Sequence, residues 1–136
     1  MQGLKPIDFA AFVADKIAAA LDIAASATPI PEDLGAVLPY AVVYNVGGYR
    51  DAQTRVLDTG ALSIDVYAEK PAQAMDVCAQ VTALVDALPD DGGGAVQVYT
   101  AQVTTLPYDN PDPRHPTIYR ATCAADVMTR GEVITI

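Results

Sequence analysis

Residues 60–89 read "GALSIDVYAEKPAQAMDVCAQVTALVDALP", and two periodicities meet inside them. From Gly60 to Glu69 the chain alternates, with Leu62, Ile64 and Val66 on one side and Ser63, Asp65 and Tyr67 on the other. Successive strand side chains leave opposite faces, so this predicts a β-strand with one buried and one wet face. After Pro71 the spacing changes. Ala74, Val77, Cys78, Val81, Leu84, Val85 and Leu88 recur at helical steps and form a wide apolar stripe suited to packing on a sheet. Pro71 fits a first helical turn, and Pro89 with the following "DDGGG" stops the helix. A strand feeding directly into a sheet-packing helix sets the fold class as α+β.

The flanking segments extend this unit. Upstream, "YAVVYNVG" (40–47) alternates and is rich in β-branched and aromatic residues, so it pairs with 60–69 as a hairpin. Gly47-Gly48 is expected to end that strand, leaving "YRDAQTRVLDT" (49–59) as a charged tip or a frayed strand start. Residues 8–25 form the first helix, capped by Asp8, with Phe9, Val13, Ile17, Leu21 and Ala24 on one face. "ATPIPEDLGAVLP" (27–39) is a proline-rich connector. Downstream, "AVQVYTAQVTT" (95–105) and "TIYRATCAADVMTR" (117–130) are two more strands, the second with Tyr119, Ala121, Cys123, Ala125 and Val127 on one face. "GEVITI" (131–136) is an extended tail. The expectation is a single domain over residues 1–136, in the order α-β-β-α-β-β. Two helices lie on one face of an antiparallel or mixed four-stranded sheet.

Composition excludes some functions. The 136 residues hold 17 acids and 8 bases, a formal charge of −9. Sequence-independent DNA binding relies on Lys and Arg displacing counterions, and no basic run exists. "FAAFVADKIAAALDIAA" (9–25) is interrupted by Asp15, Lys16 and Asp22, so it reads as a soluble helix rather than a membrane span. "MQGLKPIDFAAF" lacks the basic and apolar regions of a signal peptide, so an intracellular product is expected. Cys78 and Cys123 lack metal or redox spacing and read as core thiols.

Groups arranged for chemistry are few in this sequence. No zinc-binding His-Glu pattern, nucleophile elbow, P-loop or dinucleotide fingerprint occurs. The "DDGGG" run (90–94) follows a helix, whereas a phosphate cradle would open one. The lone histidine, His115, sits in "YDNPDPRHPTIYR" (108–120) and could pair with Asp109 or Asp112 as a base and its orienter. No Ser or Cys nucleophile is near it in sequence, and the prolines suit a stiff lead-in to a strand. The expectation is therefore no enzyme, no cofactor and no metal. Two segments remain as candidate contacts: the tip with Tyr49, Arg50, Asp51, Arg55 and Asp58, and the proline loop with Tyr108, Asp109, Asp112, Arg114 and His115. Tyr and Arg are common interface anchors, and stiff loops lose less entropy on binding. Plain solvated loops are the alternative.

The order of "LPYAVVYNVGG", a tip with D and R, "DVYA", an alanine-rich helix and "YRAT" before an Arg-Gly end resembles the tail terminator (minor tail, tail-completion) proteins of long-tailed phages of actinobacteria. The resemblance spans about residues 8–131 and rests on order and spacing. It implies a homo-oligomer, a hexameric ring, that caps the tail tube, ends its polymerisation and offers a docking face to head-completion (stopper) proteins. The implied partners are therefore the tail tube protein and a head-completion protein. DNA passes the lumen without specific binding, and no membrane is involved. The implied location is the virion, at the head–tail junction, after assembly in the host cytoplasm. The resemblance also puts Arg50, Asp51, Arg55 and Asp58 on a hairpin directed at a neighbour or the tube. A head–tail connector or stopper, a small intracellular ligand-binding α+β domain and an enzyme using His115 stay open as other readings.

Overall fold

The computed structural model describes residues 1–91 and 94–136. It is α+β, with two helices and a mixed five-stranded sheet in the order β2-β3-β4-β6-β5, beside a two-stranded ribbon β1-β7. The strands are β1 (Gln2–Lys5), β2 (Ala24–Ala27), β3 (Tyr40–Arg50), β4 (Leu57–Ala68), β5 (Val98–Asp109), β6 (Tyr119–Arg130) and β7 (Glu132–Thr135). The helices are α1 (Phe9–Leu21) and α2 (Pro71–Ala87).

Residues 60–89 fold as their periodicity dictates. Leu62, Ile64 and Val66 point to the helices, and Ala74, Val77, Cys78, Val81 and Val85 of α2 close over them. On α1, the Asp8 carboxylate accepts from the Ala11 N–H at 3.1 Å, a side-chain cap for an otherwise open helix end. Phe9, Val13 and Ile17 join the same core. Phe9 lies where a Cβ on Gly60 would fall, so the glycine makes room for the ring. Ala121, Cys123, Ala125 and Val127 complete the floor under the helices.

The predicted four-stranded sheet and its order are corrected in four places. First, the α1 helix stops at Leu21, because Asp22 takes a left-handed conformation (φ 52°), and Ala24–Ala27 become strand β2, parallel to β3. Alanines satisfy either element, so the helical pattern ran on past its end. Second, Gly47-Gly48 does not end β3. Val46 and Gly47 form a bulge, with φ of 105° at Gly47 and 131° at Gly48, and pairing resumes as Gly48↔Gly60 through Arg50↔Asp58. Third, β5 runs beyond residue 105 to Asp109, so Tyr108 is a strand residue. Fourth, the "GEVITI" tail pairs with β1, Gln2↔Thr135 to Lys5↔Glu132.

The wet face of the hairpin is also corrected. Two parallel neighbours cannot be joined by a tight turn, so residues 28–39 must cross over from β2 to β3. Leu34 on that crossover packs with Tyr40, Val42 and Tyr67 on the sheet's outer face, with Ile30, Tyr44 and Ile118 at the margin. Tyr67, expected outside, is fully buried there, and Asp65 is nearly so.

Candidate functional site

At one end of the central strand β4, Asp112 anchors the proline loop onto the sheet. Its side chain is almost wholly buried. Tyr67 Oη donates to Asp112 Oδ2 at 3.0 Å, and the Arg114 backbone N–H donates to Oδ1 at 3.0 Å. Arg114 Nε and Nη2 add bonds of 3.2 and 3.3 Å, and Arg120 Nη1 lies 3.4 Å from Oδ2. Burial works against the charged carboxylate, but Arg114, its backbone N–H, Tyr67 and Arg120 outweigh it and hold the Asp112 pKa at about 2. Burial likewise pushes the Tyr67 phenol up to about 12, so it stays a donor.

Arg120 knits the rest. Its Nε donates to the Asn110 carbonyl at 2.6 Å and its Nη2 to the Pro111 carbonyl at 3.3 Å, while Nη1 lies 3.7 Å from Asp65 Oδ2. Thr122 Oγ1 donates to Asp65 Oδ1 at 2.7 Å and accepts from Asn110 Nδ2 at 3.0 Å. Such a network is stable only when each buried group finds a partner, and here each does. A groove of about 330 Å³ borders it, lined by Pro71, Asp109, Pro116, Ile118, Tyr119 and others.

The network determines what His115 can do. Its ring meets Tyr67 edge-on, centroids 6.0 Å apart at 79°, and makes no hydrogen bond to Asp109 or Asp112. The Asp112 oxygens are already taken by Tyr67 and the arginines, so the base–orienter pair that the sequence permits does not form. Arg114 projects outward with its side chain 70% exposed, and Tyr108 and Asp109 are exposed at the end of β5.

At the opposite end of β4 is the hairpin tip. Arg50 grips Asp58 with two bonds, Nε to Oδ1 at 2.5 Å and Nη2 to Oδ2 at 2.9 Å. Asp58 is buried, so it orients Arg50 and meets nothing outside. Beyond this pair the chain closes one turn, with Arg55 N–H on the Asp51 carbonyl and the Thr54 N–H on the Asp51 carboxylate at 2.7 Å. Those Thr54 bonds pull the Asp51 carboxyl below its ordinary range. Arg55 is left exposed with φ 60°, and Tyr49 is 65% exposed.

The candidate residues thus form two groups, toward opposite ends of β4, which spans roughly 35 Å at strand rise. Asp58 and Asp112 are interior clamps. Tyr49, Arg55, Tyr108, Asp109 and Arg114 are the outward members. Sequence reasoning missed Tyr67, Asp65, Asn110, Arg120 and Thr122. The available signal was alternation, which put Asp65, Tyr67, Arg120 and Thr122 on one common face, but not the loop that covers it.

Elsewhere, Cys78 and Cys123 are buried, unbridged neighbours, and the Cys78 contact with burial pushes the Cys123 thiol far up, which makes it inert. Among the described residues no cluster of His, Cys, Asp and Glu could hold a metal, and no helix is long and apolar enough to cross a membrane. The glycines at 92 and 93 of the "DDGGG" run lie outside the described residues. Compared with known proteins, the chain matches no family model and no curated protein.

Proposed function

We propose that this chain is a structural subunit of a phage tail, a terminator that closes as a ring on the tail tube, ends its polymerisation and presents a docking face to head-completion proteins. The observation that carries the reading beyond resemblance is the pair of unlike, well-ordered surfaces at opposite ends of β4. A ring closed by head-to-tail contacts needs two different patches on every subunit, and a clamped proline loop and a clamped hairpin tip supply them. Both are pre-ordered by intramolecular bonds, which lowers the entropy lost on assembly. The formal charge of −9 suits a channel that DNA crosses without adhering.

Deleting the gene from its phage tests the reading. Overlong tails are the expected result. Normal-length, unattached tails with leaking heads would assign the chain to the stopper position instead. Unchanged particles would remove it from the neck altogether.

A further inference from the structure

The ribbon of β1 and β7 is the least supported part of the fold. Every residue of β7 is exposed, and Val133, Ile134 and Ile136 offer apolar side chains to water. Neither hydrophobic cluster includes them. A two-stranded ribbon without a packed face is marginal in water, so this one lacks a covering surface.

Charge says what kind of surface. The ribbon and tip together (residues 1–7, 46–58 and 128–136) carry the bases Lys5, Arg50, Arg55 and Arg130 against the acids Asp51, Asp58 and Glu132. The rest of the chain carries the other 4 bases against 14 acids, completing the totals of 8 and 17. Asp58 is consumed by Arg50, whereas Lys5, Arg55 and Arg130 enter none of the ion pairs among the described residues. Of the four Lys and Arg cations in no ion pair among the described residues, three lie on the ribbon and tip beside the uncovered apolar side chains, and the fourth, Lys70, is the N-cap of α2. Copies of so acidic a chain repel one another unless their contact sets those cations against acids.

The same chain offers the complement. The outward face of α2 exposes Ala79, Ala83, Asp76 and Asp86, and the helix has no basic residue. Its alanines leave a shallow surface for Val133 and Ile134, flanked by carboxylates for Lys5 and Arg55. We propose that the β1–β7 ribbon and hairpin tip of one copy dock on the outward face of α2 in a second copy. This rests on the ring reading above and names the contact that closes it, the second patch extending from the proline loop onto α2, whose Pro71 lines the same groove.

Light scattering on the size-fractionated full chain, alone and with purified tail tubes, tests it. The wild type is expected as a multiple of the subunit mass. Lys5→Glu with Arg55→Glu should weaken self-association at least about 100-fold, as the loss of two close charge pairs allows. Adding Asp76→Lys and Asp86→Lys to the same chain should restore it, whereas Asp15→Lys and Glu32→Lys, which return the same net charge away from α2, should not. Unchanged melting temperatures check that these exposed substitutions leave the fold intact. An undiminished oligomer in the first variant, or no restoration in the second, overturns the proposal while the ring reading stands. A ring that persists but no longer attaches to tubes gives the ribbon to the tube protein, and also overturns it. A wild type that stays monomeric alone and on tubes overturns it too, and the tail lengths of the deletion phage remain the separate measure of the ring reading.

Discussion

The proline loop and the hairpin tip both depend on an Asp–Arg pair, yet the two pairs differ in depth and consequence. Asp112 is buried beneath its loop and is held by Tyr67, Arg114 and Arg120 together. Asp58 sits at the sheet's end and is held by the Arg50 fork, whose own side chain is one-third exposed. A clamp in the interior makes a loop part of the core. A clamp at the rim aims a single arginine and leaves the turn beyond it dependent on its own short bonds.

The largest effect expected from this difference is that of Asp112→Ala. Removing it strips Arg120 and Tyr67 of a partner on a covered face, at a cost of about 3 kcal/mol in urea unfolding. Amide exchange should rise across residues 110–118 and stay unchanged at 51–56. Equal acceleration at both ends would break the comparison.

Acid should then act through the same residue. The Asp112 pKa falls from its ordinary 3.8 to about 2 on folding. Its contribution is therefore complete above pH 4 and disappears as pH falls through 2, about 2 kcal/mol in all. Asp112→Asn should flatten that part of the stability curve between pH 4 and 2. A variant that follows the wild-type curve would place the acid-sensitive group elsewhere.

Asp58→Ala is expected to be milder, about 1–2 kcal/mol, because water can reach the Arg50 that it releases. Its exchange signature should be the mirror image of the first, with 51–56 loosened and 110–118 unaffected.

How much of this was legible follows from the range of the contacts involved. The stripe on α2, the alternation of β4 and the Asp8 cap are local, and local spacing is enough to read them. Strand β2 was hidden because Ala24–Ala27 continue a helical pattern, and Asp22's left-handed backbone is the only break. The ribbon joins residues from opposite ends of the numbering, and four-residue strands carry too little pattern to pair on paper. Tyr67 and Asp65 alternate as wet-face residues should. Only the 28–39 crossover and the loop around Asp112 make them interior, and no residue near them announces that cover. For the candidate residues, the sequence named both segments and did not separate their structural roles. Asp58 and Asp112 have the same composition-level appearance as Asp51 and Asp109, and only burial separates clamp from surface.

The central claim, a ring built from two unlike ends, is tested most directly by electron cryomicroscopy of assembled tails. The expected result is a closed ring of this chain at the head-proximal end of the tube. In it, the hairpin tip and the proline loop of each subunit face different neighbours, and the lumen is acidic. A tail end without this chain, or a ring whose lumen is strongly basic, would contradict the account.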